Sequence, residues 1–349
     1  VITVVRVGDV DAGQLSRAIK GLHRDIPVVL LIFDEADLSL WPEARTHSEG
    51  IDSTFLWTGS AGVLIAAIKS IEDQKNALHD TATAGVQVIL VVEDRVRAYS
   101  RFLALLYAEL LTQSGSLIAE GLNDFHRLMR MRARPKILLA SSFEEGVAVY
   151  QAFSSHICAL MRHRRPPPQG AQAPAAGLGP AQPIRGSESG LPILARIAEA
   201  EAESRASELG ATFLRKHAKD FRAQVRRFLE ESLGFGDFVF RLPDRTEVGR
   251  ARDVFEMEQV LARVPVASVA FHAHHNHFST WLTARSLYQL AERVRSWRPP
   301  DYADPEELRA DLIAALETAR VIQQEGVITD LHSRNTGPEN RFVRVGRGS

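Results

Sequence analysis

The chain has 349 residues, 45% hydrophobic and 24% charged, the balance of a soluble globular protein with material for two or three cores. Its 42 Lys and Arg against 43 Asp and Glu leave a formal net charge of −1, so no global field attracts nucleic acid, an acidic membrane face or a polyanion. No apolar run reaches the roughly 18 residues of a membrane span, no basic-then-apolar leader opens the chain, and the single cysteine, Cys158 in the apolar run HICALM, excludes an internal disulfide and a multi-cysteine zinc site; a cytoplasmic location follows as the expectation.

In chain order, VITVV reads as a buried β-branched strand, AGQLSRAIKGLH as a helix with Leu15, Ile19 and Leu22 at helical spacing, and IPVVLLIF as a second strand. A polar loop with Trp41 and Pro42 leads to the strand STFLW and the helix SAGVLIAAIKSIEDQKNAL. Strands apolar on both faces and alternating with helices imply a parallel sheet covered by helices. The chain opens on Val1 inside its first strand, so residues 1–78 are expected to be a truncated domain, and the small-residue stretch at 79–86 a linker.

The rhythm restarts at VQVILVVEDR and runs through a long helix from Val96 to about Met131, the strand KILLAS, the helix FEEGVAVYQAF and the strand HICALM. After the Pro/Gly-rich segment 166–190, which cannot hold a normal amphipathic helix, come LPILARI, the helix AEAEAESRASELG, ATFLRK and the helix DFRAQVRRFLEESL. Five strands in this order predict a doubly wound, flavodoxin-like domain over residues 87–233. Residues 235–330 open with a hairpin across Pro243-Asp244 and continue as helices over DVFEMEQVLARV, FSTWLTARSLYQLAERVRSW and DPEELRADLIAALETARVIQQ, the last with Asp304 as N-cap and Pro305 at the first helical position. This predicts a mainly helical connector with an N-terminal hairpin. Residues 331–349, ending FVRVGRGS, read as a linker into a further domain.

Glu93 and Asp94 stand at the carboxyl end of the first strand of the second cycle, and Lys216 at the end of its fifth, where open α/β sheets place their ligands. This frame resembles a two-component receiver. The resemblance implies acids that hold Mg²⁺, an aspartate after the third strand that accepts a phosphoryl group, a Ser or Thr after the fourth, and a lysine on a phosphoryl oxygen. The third strand instead offers Arg162, or Met161 or His163 one residue either way, and the fourth offers Arg196 or Ile197. An always-protonated guanidinium cannot attack phosphorus and repels Mg²⁺. The set Glu93, Asp94, Arg162 and Lys216 is therefore read as a pocket remnant, with a weak Mg²⁺ site at Glu93 and Asp94 at most and no cofactor otherwise. Residues 1–78 resemble the last three βα units of another receiver, with Val4 at the acceptor position, Ile32 or Phe33 at the hydroxyl position and Trp57 or Thr58 at the lysine position. The expected fold class is thus α/β: two flavodoxin-like, receiver-type doubly wound parallel sheets, the first truncated, then a mainly helical α+β domain.

The tandem, followed by FGDFVFRLPDRTEVGRA and HAHHNHFSTWLTARSLYQLAERV, resembles the N-terminal region of large bacterial proteins that end in a phosphoenolpyruvate/pyruvate-binding, ATP-dependent phosphotransferase domain. The resemblance implies a non-catalytic regulatory region whose partner is the downstream kinase-like domain of the same chain; a homo-oligomer stays open, and neither nucleic acid nor membrane is expected. It also points to His272, Asn276, His277 and Ser279, within H-A-x-x-N-H-F-S, as contacts to a neighbouring domain or ligand. By spacing, His272 and His274 share a face if extended and His274 and His277 if helical, so one regular geometry aligns only two histidines, and no metal is assigned there. Asn276 or Ser279 is expected to cap a helix starting near Phe278. Two readings of another class stay open: a phosphoacceptor response regulator with the last domain as output, and a metal protein centred on His272–His277.

Overall fold

A computed structural model describes residues 1–34, 36–37, 50–119, 134–163, 193–197, 212–215 and 220–335. It is a mixed α/β structure with parallel sheets, divided into two compact units: Val1–Thr112 with Arg134–Phe228, and Gln113–Ala133 with Leu229–Ser349. The positions expected as boundaries at 78 and 87 both fall within the first unit.

In the first unit, β1 (Ile2–Val4) leads through a small hairpin, β2 (Arg6–Val7) and β3 (Val10–Asp11), into α1 (Ala12–Leu22), whose N-terminus is capped by the Asp11 carboxylate accepting from the Gln14 N–H at 2.8 Å. β4 (Val29–Ile32) and β5 (Ser53–Leu56) complete a three-stranded parallel sheet in the order β1-β4-β5. All four residues of β4 are buried, as a strand covered on both faces requires.

Helix α2 (Gly62–Ala84) then runs straight through most of the stretch expected to be a linker and ends only at Gly85, whose φ of 65° sits in the left-handed region. Tertiary packing overrides the small-residue signal here. Asp73, Ala77 and Thr81 form a buried stripe at helical spacing, and the Thr81 hydroxyl donates to the Ala77 carbonyl at 2.7 Å within the helix.

That stripe belongs to the second sheet's core. β6 (Val88–Val92), β7 (Lys136–Ala140), β8 (Ile157–His163), β9 (Ile193–Ile197) and β10 (Thr212–Arg215) pair parallel in the order β10-β9-β8-β6-β7. Helices α3 (Val96–Ala119), α4 (Phe143–Phe153) and α5 (Phe221–Ser232) accompany it. The expected helix to Met131, the segment 166–190 and the helix in AEAEAESRASELG fall wholly or partly outside the described residues.

Asp73, completely buried on α2, accepts from the Tyr107 hydroxyl of α3 at 2.9 Å, the Arg134 guanidinium (Nη1 at 3.0 Å, and Nη2) and the Ile137 N–H of β7 at 2.9 Å. Both of its oxygens are used, so a charge with no access to water is fully compensated. The two sheets are also joined at β5: the Leu56 N–H donates to Ser100 Oγ of α3 at 2.9 Å, and the Tyr99 hydroxyl donates to the Thr54 carbonyl.

In the second unit, β11 (Phe238–Arg241) and β12 (Glu247–Ala251) form the expected antiparallel hairpin, its turn closed by the left-handed Arg245. Helices α6 (Val254–Leu261), α7 (Val266–His274), α8 (His277–Ala284), α9 (Tyr288–Arg295) and α10 (Pro305–Asn335) follow. Phe238, Phe240, Trp281, Leu282 and Leu308 lie in one core.

Two features depart from expectation. Helix α7 is additional, begun after Pro265. The single helix expected over 278–297 is two, broken at Ser286 with φ 65°. The cause is Arg285, buried with its guanidinium 3.6 Å over the Trp281 ring and donating to the carbonyls of Gly234, Gly236 and Arg252. Gly234 is required where it stands, with φ 74° and an added Cβ only 2.7 Å from Trp281 Cα.

Asp73→Ala leaves a buried guanidinium, hydroxyl and amide uncompensated, so the unfolding free energy is expected to fall by about 3–5 kcal/mol. Chemical denaturation reads this directly, and a loss below about 1 kcal/mol would show that the network carries little.

Candidate functional site

Chain order reverses direction at β6: β7 adds on one side and β8 on the other, which makes the carboxyl ends of β6 and β8 the topological switch point where open α/β sheets place ligands. The structure brings three of the four remnant residues to this place. Glu93 and Asp94 follow β6 directly, and Arg162 of β8 is paired with Val92. Lys216 lies outside the described residues, one position beyond β10. The last residues of β8 are Met161, which is buried, then Arg162 and His163, so no carboxylate occurs at the end of this strand in any nearby register.

The two acids have different surroundings. Glu93 is 5% exposed; its N–H continues the β6–β7 pairing by donating to the Ala140 carbonyl at 3.0 Å. Its carboxylate Oε1 accepts from the backbone N–H and Nε of Arg95 at 3.2 and 3.3 Å. Burial pushes its carboxyl above the ordinary range despite these bonds. Asp94 is exposed. An acid pair that shares a cation would present both carboxylates to one point, whereas here the buried one is already bonded to Arg95. In the three-stranded sheet, Val4, Ile32 and Trp57 lie at or just past the ends of β1, β4 and β5, with the Trp57 N–H donating to the Ile32 carbonyl at 2.8 Å; Phe33 and Thr58 are exposed beside them.

The histidines sit in the second unit at the break between α7 and α8. Asn276, left-handed at φ 58°, turns the chain so that His272 and His277, five residues apart, meet with their Nδ1 atoms at 2.9 Å. His272 Nε2 accepts from the Arg241 N–H of β11 at 2.7 Å. That acceptor role places the proton of neutral His272 on Nδ1, which donates to His277 Nδ1 and so leaves the proton of His277 on Nε2.

Rings of Phe238, Phe240, Phe271 and Phe278 surround His272, and burial first, then its histidine neighbours and Arg241, push its pKa down to about 3. His277 is pushed down to about 4 by burial and then His275. His275 stacks at 17° on His277 and bonds the Phe271 carbonyl through Nδ1 at 2.7 Å.

Neither spacing considered in the sequence gives this pair. The left-handed Asn276 is the missing element, and an asparagine between the histidines is its one sequence signal. The capping expectation is corrected too: Asn276 holds the N-cap position of α8 but makes no side-chain cap bond, and Ser279 instead donates to the Asn276 carbonyl at 3.0 Å. A left-handed cap residue aims its side chain away from the N–H groups it would accept from. Among the described residues, no group of three or more His, Cys, Asp or Glu could hold a metal ion, and no helix is long and apolar enough to cross a membrane. No protein-family model matches the chain, and no curated protein is significantly similar to it.

Two titrations follow. Because His272 and His277 bind protons more weakly folded than unfolded, their contribution to stability is complete above the ordinary histidine value near 6.5 and is lost as pH falls toward 4 and then 3. Unfolding free energies measured from pH 7.5 down to 5 should decline by at most about 1.4 kcal/mol per pH unit per histidine, and His272→Gln should flatten the decline; an unchanged slope in the variant would contradict the assignment. Glu93 has the opposite sign: its raised pKa costs nothing below the ordinary carboxylate range and destabilises the folded state as pH rises through the folded value. Glu93→Gln should therefore raise the melting temperature at pH 7 by a few degrees and have no effect near pH 4.

Proposed function

We propose that this chain is a non-catalytic, cytoplasmic regulatory region, built of receiver-like modules that cannot be phosphorylated, within a larger phosphoenolpyruvate/pyruvate-binding, ATP-dependent phosphotransferase-like protein. The strand order of the larger sheet, read in chain order as 2-1-3-4-5, supports the flavodoxin-like reading. One observation carries the functional one. At the carboxyl end of the central strand β8, beside the acids that follow β6, the residue is Arg162. Transfer of a phosphoryl group to a protein side chain needs a nucleophilic oxygen in line with phosphorus and positive charge on the phosphoryl oxygens. An arginine at this position offers no nucleophilic oxygen, and its charge is permanent.

Regulation would then pass through packing between modules and a downstream domain rather than through a phosphorylated residue. His272, Asn276, His277 and Ser279 serve this reading as the stable joint between hairpin and helices. The neutral, mutually bonded pair fixes the α7–α8 turn against β11. Incubation with acetyl phosphate and Mg²⁺ followed by intact mass measurement is expected to leave the chain unmodified. Gain of one phosphoryl group would overturn the proposal in favour of a phosphoacceptor response regulator.

A further inference from the structure

The order of donors and acceptors around His272 decides where a further proton can go. A backbone N–H only donates, so the Arg241 N–H at 2.7 Å claims the lone pair of His272 Nε2, and the one proton of the neutral ring stands on Nδ1, 2.9 Å from His277 Nδ1. The lone pair of His277 Nδ1 is claimed in turn. Each ring thus has a single nitrogen able to take another proton, and in each it is the nitrogen that already accepts a bond. A proton on His272 Nε2 sets two N–H groups against each other where α7 meets β11. A proton on His277 Nδ1 does the same where α7 meets α8. Neither ring becomes an imidazolium while both bonds stand.

The surrounding groups do not offset this. Arg241 comes from β11, and His274 and His275 from α7, with His275 bonded through Nδ1 to the Phe271 carbonyl. The turn at Pro299–Asp301 packs against α7; there Arg298 donates to the His274 carbonyl at 3.3 Å, and Asp301 accepts from the Arg298 N–H. On α10, also packed against α7, Asp311 accepts from the Tyr302 hydroxyl and Arg309 donates to the Leu261 carbonyl. On α9, packed against α8, Glu292 pairs with Arg295 and Arg293 lies over Trp297. Among the described residues no carboxylate bonds either ring, so no group is placed to hold an imidazolium there. A second attachment of α8 is indifferent to pH: Trp281 Nε1 donates to the Gly236 carbonyl at 3.0 Å, and the permanently charged Arg285 holds the carbonyls of Gly234, Gly236 and Arg252.

We propose that the His272–His277 contact is a proton-operated latch: acid releases the α7–α8 turn from β11 while Arg285 keeps the far end of α8 in place. The latch goes beyond the reading of the chain as a regulatory region and does not depend on Arg162. Its sign follows from linkage. The closed rings are pushed down to about 3 and about 4, whereas opened ones return to the ordinary value near 6.5, so the open form gains as pH falls below 6.5.

Hydrogen exchange of the full chain, followed by NMR, tests this. Corrected for the intrinsic exchange rate, protection of the Arg241 amide is expected to fall roughly fiftyfold between pH 6 and pH 5, close to tenfold for each of two protons taken up on opening. The Leu287 amide, bonded to the Leu282 carbonyl at the Arg285 end of α8, is expected to keep its protection. In His277→Asn, whose amide oxygen accepts in place of Nδ1 but does not titrate, the fall should shrink to about sevenfold. Nitrogen shifts of the wild-type imidazoles need no variant: at pH 7 the proton of His272 is expected on Nδ1 and that of His277 on Nε2. An Arg241 amide indifferent to pH, an equal loss at Leu287, an undiminished fall in His277→Asn, or a His272 proton on Nε2 at pH 7 would each overturn the latch.

Discussion

The first unit depends on one buried carboxylate. Asp73 of α2 gathers bonds from Tyr107 of α3, Ile137 of β7 and Arg134 just ahead of β7 on one side chain. An ionised carboxylate in a dry interior is tolerated only when its lone pairs are filled, and here the donors come from α3 and from the segment entering β7. Moving α2 would therefore break several bonds at once. Together with the bonds of Ser100 and Tyr99 of α3 to β5, this makes the helix after the small sheet a structural part of the larger one, and it explains why a small-residue stretch that reads as a linker is helical to Ala84.

The carboxyl ends of β6 and β8 lie side by side in this sheet. One acid is buried and bonded to Arg95, the other is exposed, and the neighbouring strand ends in Arg162 and His163. The histidine pair shows the same economy of polar groups. Each ring nitrogen with a known partner is used once, the rings are kept neutral among phenylalanines, and the result is a rigid joint.

Much of this was legible in the sequence because strand and helix periods are local. The strands of both sheets, the helix over Phe143–Phe153 and the Asp304 cap, whose carboxylate accepts from the Glu306 N–H at 2.9 Å, follow from patterns within a few residues. The placement of Glu93, Asp94 and Arg162 also followed, since a position at a strand end is inherited by the sheet. The failures are all non-local. The break at Ser286 exists because Arg285 reaches carbonyls on a turn far earlier in the chain. The continuation of α2 reflects Arg134 and β7. The His272–His277 contact depends on a left-handed residue that periodicity does not encode.

The central proposal is that residue 162, at the carboxyl end of β8 and paired with Val92 of β6, offers no oxygen that could accept a phosphoryl group. The most direct measurement compares Arg162→Asp with the wild-type chain under acetyl phosphate and Mg²⁺, by intact mass before and after hydroxylamine, which cleaves acyl phosphates. The variant is expected to gain a hydroxylamine-sensitive phosphoryl group that the wild type does not take up. A hydroxylamine-sensitive phosphoryl group on the wild-type chain would contradict the proposal.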